Sequence, residues 1–377
     1  MMKILHIYKD YFPILGGIEN HIRLLAEAQV RAGHEVTVLV TSQGQETAEE
    51  ALNGVRVIKA GRLATVASTP LSLSLLGRLR SLCPDITHLQ SPYPVGEIAQ
   101  WLAGRGRRYV ISYQADISRL SQRLIMLAYG PLFHAILNHA AAVLATSPQF
   151  AAASPHLRAV ANRVVIAPLG IDTARFQPSG ARPPWAVPAL LFVGQLRHYK
   201  GVADLLSAMA LLPEPVRPSL QISGDGPMRQ PWETLCRSLG LSQAVTFLGN
   251  VADADLPALY RSADIFVLPS TSRAESFGMV LVEAMASGLP CITTEINSGN
   301  SYIVQDNVTG VIVPPCSPQA LAQAITRLIE SPVERVQMGR AGRERALQEF
   351  TVDKMVDRID AVYQAALAGA PTAHPGA

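Results

Sequence analysis

The chain contains few cysteines, and they are scattered. Only four occur in 377 residues, with no Cys-x-x-Cys pair and no histidine at a spacing that would complete a metal site. A disulfide-held secreted domain and a structural zinc site both need clustered cysteines, so both classes are disfavoured and a reducing compartment is expected. The four residues are Cys83, Cys236, Cys291 and Cys316.

Long uncharged apolar runs are also lacking. No stretch approaches the roughly 18 residues that a membrane-spanning helix requires. The amino terminus enters a strand-like segment at once, at residues 3–8, without the basic region and apolar run of a signal peptide. We therefore expect a cytoplasmic protein. The formal net charge is only +3, which predicts no nucleic-acid partner.

Short apolar segments alternate with helical segments through the first half of the chain. Such alternation predicts an α/β protein with a parallel, doubly wound sheet. The predicted strands are residues 3–8, 34–41, 55–60, 86–90, 109–113, 142–145 and 164–167. The predicted helices are residues 18–32, 71–82, 95–103, 119–138 and 148–159.

The second half repeats this alternation after a segment rich in proline and glycine. Strands are predicted at residues 189–196, 220–223, 245–248, 265–268, 291–294 and 311–313, with helices beginning near Val202, Met228, Asp255, Phe277 and Pro318. The length and the 49% hydrophobic content suffice for two cores. We predict a first domain over residues 1–170, a linker over 171–188, a second domain over 189–350, a helix over 351–368 and a disordered tail over 369–377.

Two glutamates, Glu275 and Glu283, follow the apolar segment 265–268 in the sequence PSTSRAESFGMVLVEAMASG. Ligands of parallel sheets bind at the carboxyl ends of strands. A helix that begins near Phe277 would direct free N–H groups at an anion there. Eight residues of helix separate the two carboxylates by about 12 Å, which is too far for a glycosidase pair acting on one bond. They are placed instead to contact two ends of one extended ligand.

Two further strand ends carry features that suit an anion. Gly16 and Gly17 open the helix after the first strand, and paired glycines allow a close backbone approach. The string VGQLRHYKG ends the first strand of the second half and supplies Arg197 and Lys200, two cations suited to a diphosphate. No Gly-x-Gly-x-x-Gly occurs here, so a dinucleotide fingerprint is absent.

Together these segments resemble glycosyltransferase family 4, retaining enzymes of the GT-B fold. The similarity is carried by YKDYFPILGGIENH, SYQADI, PLGID followed by Phe-x-Pro, VGQLRHYKG, and ESFGMVLVEAMASGLPCI with its Glu-x7-Glu spacing. The resemblance implies two Rossmann-like parallel-sheet domains that face a cleft. It also implies that a C-terminal helix crosses back to the first domain.

The resemblance also assigns roles to residues. Glu283 would bind the ribose of the donor. Glu275 and the loop after it would bind the donor sugar, and Lys200 would bind the diphosphate. The implied catalytic residues are Glu275, Lys200, Arg197, Gln114 and Asp116. The implied substrate-binding residues are Gly16, Gly17, Gly194, Gln195, Gly224, Asn250, Val251, Ser276, Phe277, Gly278, Met279, Val280 and Glu283.

This chain departs from the family pattern at two of these positions. Relatives commonly carry histidine in place of Gln114 and arginine in place of Gln195. Gln114 can still form hydrogen bonds but cannot take up a charge. Arg197 would point to the same side as Gln195 if both lay on a strand, and could substitute for the missing arginine. For Asp116, capping of the following helix is as good an interpretation as catalysis.

The implied function is transfer of a hexosyl group, with mannosyl favoured, from a nucleoside-diphosphate sugar such as GDP-mannose. The acceptor would be a glycan on a lipid carrier, in bacterial surface polysaccharide synthesis. No cofactor and no metal are expected. The string Asp253-Ala254-Asp255 spells a metal-binding Asp-x-Asp, but it precedes a helix and capping explains it. The basic segment 105–123 suits either a solvated helix face or peripheral contact with an anionic membrane at its inner face.

Two other functional classes remain open from the sequence. A nucleotide-sugar epimerase of the same fold would use the same diphosphate site, but would act on the donor without an acceptor. A nucleotide-binding module without catalysis is the other, and Gln114 and Gln195 make it more plausible.

Overall fold

The computed structural model describes residues 1–14, 16–66, 69–104, 106–116, 120–178 and 188–369. Contacts divide the chain into two compact units. One comprises residues 1–170 with the segment from Val352 onward, and the other comprises residues 171–351. Within the predicted linker, residues 171–178 belong to the second unit and 179–187 lie outside the described residues. The predicted tail, apart from Gly369, also lies outside them.

The first unit is built on one large sheet. Its strands are β1 (Lys3–Ile7), β2 (Glu35–Thr41), β3 (Ala48–Leu52), β4 (Val55–Ala60), β5 (Ala64–Val66), β6 (Thr69–Leu71), β7 (Ile86–Ser91), β8 (Tyr109–Tyr113), β9 (Ala142–Ala145) and β10 (Val164–Ile166). The sheet has eight strands in the order β10-β9-β8-β7-β1-β2-β4-β3, and β5 and β6 form a separate antiparallel ribbon. Within the large sheet only the β3–β4 pairing is antiparallel.

Helices cover the strands of this sheet. They are α1 (Gly17–Arg31), α2 (Leu73–Ser81), α3 (Pro94–Ala103), α4 (Leu120–His139), α5 (Pro148–Ala153) and α6 (Pro155–Arg158). The helix predicted over residues 148–159 is therefore two helices, because Ser154 is extended at ψ 122° and Pro155 follows it. The strands β7, β8 and β9 are buried along their whole length, as strands of a parallel sheet covered on both faces should be.

The second unit holds a six-stranded sheet. Its strands are β11 (Ala189–Val193), β12 (Ser219–Ser223), β13 (Val245–Gly249), β14 (Ile265–Leu268), β15 (Cys291–Thr294) and β16 (Gly310–Val313). The order is β13-β12-β11-β14-β15-β16, with all pairings parallel. The helices are α7 (Val202–Leu211), α8 (Arg229–Ser238), α9 (Leu256–Arg261), α10 (Met279–Ala286), α11 (Asn300–Ile303), α12 (Pro318–Glu330) and α13 (Pro332–Glu349).

The last helix, α14 (Val352–Ala368), returns to the first unit, as the fold prediction required. Its inner face carries Met355, Ile359 and Tyr363, all buried in the core of that unit. Polar side chains fix it further: the Tyr363 hydroxyl lies 2.6 Å from Nδ1 of His88, and Asp360 accepts a hydrogen bond from Gln29 at 3.1 Å. The predicted α/β class and the C-terminal crossover are both confirmed.

Strand order determines where each sheet can bind a ligand. In the second unit the chain runs from β11 outward through β12 to β13, and then resumes on the other side of β11 with β14. The loops after β11 and β14 therefore diverge, and a crevice opens between neighbouring strand ends at such a point. The corresponding point in the first unit lies between β1 and β7.

Candidate functional site

A buried ion pair joins the loops that follow β11 and β14. The ammonium of Lys200 donates a hydrogen bond to Oε2 of Glu275, and each residue is only 8% exposed. The Ser270 hydroxyl donates to the same oxygen at 3.2 Å. Burial acts against the charge of Lys200, but Glu275 and Tyr199 together outweigh it and the pKa of Lys200 is raised. A fixed cation and a fixed carboxylate thus lie at the switch point of this sheet.

Backbone contacts hold the same two loops together. The N–H of Thr271 donates to the carbonyl of Tyr199 at 2.7 Å. Gly201 adopts a left-handed conformation at φ 70°, and a Cβ there would lie 1.9 Å from the carbonyl oxygen of Pro269. Only glycine satisfies both constraints, since other residues avoid this conformation and none could fit against that carbonyl. Lys200 is therefore placed by a rigid turn.

The helix after Glu275 begins later than predicted. Gly278 is left-handed at φ 93° and α10 starts at Met279 rather than near Phe277, so Glu283 lies about one turn inside the helix. Phe277 belongs to the core, where its ring meets Phe350 edge-on at 6.2 Å. Within the described chain, no hydrogen-bond partner is found for the N–H groups of residues 276–279. The predicted row of free donors therefore lies on the loop that precedes α10 and on the first residue of the helix.

Glu283 is half-buried and is held by a tyrosine. The hydroxyl of Tyr260, on α9, donates to Glu283 Oε2 at 2.7 Å. Burial, as the largest cause, raises the pKa of Glu283 to about 7, and the charge of Asp253 raises it too. The hydrogen bond from Tyr260 and the charge of Arg175 lower it. Near neutral pH the protonated and ionised forms of Glu283 are therefore both populated, and the ionised form can accept hydrogen bonds from ligand hydroxyls.

Arg197 and Gln195 both lie beyond the strand, which ends earlier than the predicted residue 196, so the alternation of side chains along a strand does not relate them. The strand β11 ends at Val193, and Arg197 lies beyond it in an exposed loop before the short 3-10 turn His198–Lys200. Its Nε donates to Oε1 of Gln195 at 2.9 Å, so these two side chains are neighbours. Gly194 is next to the lysine, since a Cβ there would be 3.5 Å from Lys200 Nζ. The two cations of this loop differ: Lys200 is fixed in the interior and Arg197 faces solvent.

The loops after β12 and β13 complete the edge of this sheet. The N–H of Gly194 donates to Ser223 O at 3.0 Å, and that of Gly224 donates to Gly249 O at 2.7 Å. These bonds link three neighbouring strand ends in series. Asn250 and Val251 follow directly after β13, with Asn250 exposed and Val251 half-buried. All predicted residues of the second half thus lie on loops at one edge of one sheet, or at the start of α10.

In the first unit, Gly16 and Gly17 open α1 as predicted. Gly16 is the N-cap and is tightly covered, because a Cβ there would be 2.2 Å from a carboxylate oxygen of Glu19. Gly17 has no atom within 4 Å of its Cβ position. Glu19 is a buried carboxylate whose pKa is raised mainly by burial. The open side of this helix start is therefore at Gly17.

Gln114 and Asp116 both have partners within the first unit. Gln114 is buried and its Nε2 donates to Gln90 Oε1 at 2.6 Å. Asp116 Oδ1 accepts from the hydroxyls of Tyr113 at 2.9 Å and Ser154 at 2.6 Å. These two bonds, from Tyr113 of β8 and from Ser154 at the start of α6, support a structural role for Asp116.

The Asp-x-Asp string has a different explanation from the predicted one. Asp255 is the N-cap of α9 but its side chain makes no capping bond. Asp253 instead pairs with Arg175 at 2.9 Å. Within the described part of the chain, no group of three or more His, Cys, Asp or Glu side chains is arranged to hold a metal ion.

The basic segment 105–123 is only partly described. Arg105 and Arg119 lie outside the described residues. Arg107 donates to the carbonyl of Leu79 at 2.8 Å, and Arg108 donates to that of Ala366. These two guanidinium groups are therefore engaged within the first unit. Of the helices in the described residues, none has the length and apolarity needed to cross a bilayer.

Sequence reasoning missed three residues around the site: Tyr260, Ser270 and Gln90. Tyr260 and Gln90 each contact a predicted residue from another strand or helix, so no local spacing reveals those pairings. Ser270 lies on the same loop as Glu275, five residues before it. A weak signal existed for Tyr260, the aromatic residue of LPALYRSAD ahead of β14. It gave no indication that its hydroxyl would reach Glu283.

Comparison with known proteins places this geometry in a family. Residues 15–175 match the model of Glycosyltransferase Family 4, and residues 184–345 match that of Glycosyl transferases group 1. The chain is 33% identical to O-antigen chain mannosyltransferase C of Escherichia coli over 370 residues, which is 96% of this chain and 98% of that protein. It is 34% identical to D-rhamnosyltransferase WbpZ of Pseudomonas aeruginosa over 359 residues, covering 93% and 92% of the two chains.

Solved structures share the fold. Sucrose-phosphate synthase of Thermosynechococcus elongatus superposes with a TM-score of 0.81 at 24% identity, over 98% of this chain and all of that one. Anabaena HepE, solved in complex with UDP, gives a TM-score of 0.76 at 23% identity, over 97% of this chain and 100% of that one. The chain therefore belongs to glycosyltransferase family 4 and has the GT-B fold.

Proposed function

We propose that this glycosyltransferase moves a mannosyl group from GDP-mannose to a lipid-linked glycan, with retention of configuration, in bacterial surface polysaccharide synthesis. The observation that carries the proposal is the Lys200–Glu275 pair at the switch point of the second sheet, beside the free N–H groups of residues 276–279. A cation and aligned N–H groups suit a diphosphate. A carboxylate next to them suits the hydroxyls of the attached sugar.

The choice of sugar is supported by the relatives. One is an O-antigen mannosyltransferase and another a D-rhamnosyltransferase, each matched over more than nine-tenths of its length. Rhamnose is 6-deoxymannose, so both names indicate a sugar of the manno configuration. The O-antigen relative also supports a surface glycan as the acceptor, which would bring the enzyme to the cytosolic face of the membrane.

The proposed chemistry depends on stabilising the leaving group. Breaking the bond between sugar and phosphate leaves negative charge on the nucleoside diphosphate, while positive charge develops at the anomeric carbon. Lys200 and the N–H groups of residues 276–279 are fixed before the reaction, so they stabilise that charge without reorganisation. Glu283 would hold the ribose hydroxyls, and Glu275 those of the transferred sugar. The leaving phosphate itself would accept the acceptor's proton on the same face of the sugar, and no metal would be required.

The test is a transfer assay with purified enzyme and a synthetic mannoside on a lipid aglycone. GDP-mannose, GDP-D-rhamnose and UDP-glucose are compared as donors, and NMR determines the anomeric configuration of the product. We expect the highest kcat/KM with GDP-mannose, an α-linked product, and equal rates with and without EDTA. Donor turnover without acceptor would favour an epimerase, and nucleotide binding with no transfer would favour a non-catalytic module.

A further inference from the structure

Tyr260 is a fully buried tyrosine whose hydroxyl reaches the rim of the proposed donor site. It is 0% exposed, and its hydroxyl lies 2.7 Å from Glu283 Oε2 and 3.4 Å from the carbonyl of Val280. The closer contact is with the carboxylate. A hydrogen bond from a neutral donor to a charged acceptor is also the stronger kind.

The Tyr260 ring is fixed from two sides. Phe176 meets it edge-on, with ring centroids 5.5 Å apart, and Phe266 of β14 lies at 5.7 Å. Phe176 is itself held, since its carbonyl accepts from Arg343 at 3.1 Å. The preceding Arg175 is tied to Asp253 by an ion pair at 2.9 Å and a bond to its carbonyl at 2.7 Å. The hydroxyl therefore occupies a defined position.

The Glu283 carboxylate requires a hydrogen-bond donor to hold it in one orientation. It is half-buried on the first turns of α10, and a glutamate side chain left to itself has several rotamers, whose restriction costs free energy when a ligand binds. No other side-chain donor to its carboxylate is found among the described residues. Holding Oε2 in place leaves Oε1 to accept hydrogen bonds from a ligand.

We propose that Tyr260 is a positioning residue, which orients the Glu283 carboxylate so that one oxygen is presented to the 2′- and 3′-hydroxyls of a bound ribose. This inference rests on the proposed function, in which Glu283 binds the donor ribose. The Arg175–Phe176 segment supports the Tyr260 ring and so acts on the same carboxylate indirectly.

The experiment measures nucleotide affinity in Tyr260→Phe by calorimetry, with GDP and 2′-deoxy-GDP as probes. The wild type should prefer GDP, and Glu283→Gln should lose most of that preference. Tyr260→Phe should weaken GDP binding roughly tenfold, because the Glu283 side chain must then lose its rotamer freedom when the ligand binds. It should also reduce the preference over 2′-deoxy-GDP.

The pH profile gives a readout that a packing defect would not move. Because the Tyr260 hydrogen bond lowers the pKa of Glu283, its loss should raise the pH at which GDP binding weakens on acidification. Tyr109→Phe is the matched control: it also removes a hydroxyl that donates at 2.7 Å, to the carbonyl of Ile136, in the core of the first unit. This control should leave both the GDP preference and the pH profile unchanged.

The outcomes separate the inference from the proposed function. If Glu283→Gln binds both nucleotides as the wild type does, the ribose assignment is wrong and the role of Tyr260 falls with it. If Glu283→Gln loses the preference but Tyr260→Phe keeps both the preference and the wild-type pH profile, Tyr260 is only a core residue and this inference alone is overturned.

Discussion

At the scale of single residues, the site depends on a lysine that keeps its charge in the interior. Lys200 is 8% exposed, and an isolated buried ammonium would lose its proton rather than stay charged. The Glu275 carboxylate prevents this, and the two charges are joined across 75 positions of sequence. Both residues are identifiable from their local strings. Their pairing is not, because it depends on which strands are neighbours.

Removing one partner should therefore harm both stability and catalysis. For Lys200→Ala we expect a loss of about 3–5 kcal/mol in unfolding free energy, since a buried carboxylate is left uncompensated, and at least a tenfold lower kcat/KM. The double variant Lys200→Met, Glu275→Gln removes both charges and should recover part of the stability but none of the activity. Urea unfolding and donor kinetics on the three proteins test this. Recovered activity in the double variant would show that the lysine charge is not required.

Asp253 provides the opposite case, a charge near the site that is dispensable. Its pair with Arg175 is partly exposed, at 46% and 31% of the two side chains, and such pairs contribute at most about 1 kcal/mol. Asp253 also raises the pKa of Glu283, so its removal favours the ionised form. Asp253→Asn should therefore change kcat/KM by less than about threefold at pH 7.5. A large loss, restored by added divalent metal, would instead support a metal-binding Asp-x-Asp.

At the scale of elements, the strands were easier to predict than the loops. Apolar runs such as Ile265–Leu268 and Ala142–Ala145 coincide with buried strands because a parallel sheet covered on both faces leaves no polar alternation. The edge strand Ala48–Leu52 was missed because it is exposed and consists of alanine, glutamate and one leucine. The start of α10 was misplaced because a glycine within a helix-like string gives no indication that it will adopt φ 93°.

The turn at Gly201 should be the most sensitive connection in the second unit. Gly201→Ala places a methyl group against the Pro269 carbonyl, at 1.9 Å in the undistorted backbone, and must separate the two loops that hold the ion pair. Gly240→Ala is a matched control, because Gly240 has nearly the same φ of 71° with nothing within 4 Å. The control should lose only about 1–2 kcal/mol of unfolding free energy, which is the cost of placing an alanine in the left-handed conformation. Gly201→Ala should lose clearly more, with at least tenfold lower kcat/KM.

Thermal unfolding and donor kinetics, measured on Gly201→Ala and Gly240→Ala, test this prediction. If both lose equal stability and both keep wild-type kcat/KM, the close approach of Gly201 to Pro269 does not position Lys200, and the turn serves only as a connection.

At the scale of the whole molecule, three histidines are fully buried in the described part of the first unit: His6, His21 and His88. His6 and His88 are hydrogen-bonded, to Gln29 at 2.8 Å and to Tyr363 and Ser112. No partner is found for either ring nitrogen of His21 among the described residues. Burial lowers the pKa of His6 to about 4 and that of His21 to about 3. The sequence indicates the apolar strands and helices that bury these rings, but not that the rings are neighbours.

These histidines should make the first unit sensitive to acid. Consider a histidine whose pKa is lower in the folded than in the unfolded state. Its contribution to folding stability is fully present at pH values above the unfolded pKa of 6.5. That contribution declines as the pH falls from 6.5 toward the folded value of about 3. Buried carboxylates with raised pKa values, Glu19 and Glu97, act in the opposite direction. The difference between a variant and the wild type is therefore the quantity to measure.

His21→Leu isolates one of these contributions. The substitution removes a titrating ring and two unpartnered nitrogens, so the variant should be at least as stable as the wild type at pH 7.5. Its advantage in unfolding free energy should grow by about 2 kcal/mol between pH 7.5 and pH 5. Because a two-unit chain need not unfold in one step, hydrogen exchange in peptides from β1 and α1 is the suitable measurement. His139→Leu, at an exposed histidine of the same unit, should show no such growth. A His21→Leu advantage that stays constant between the two pH values would mean that this ring does not titrate on unfolding.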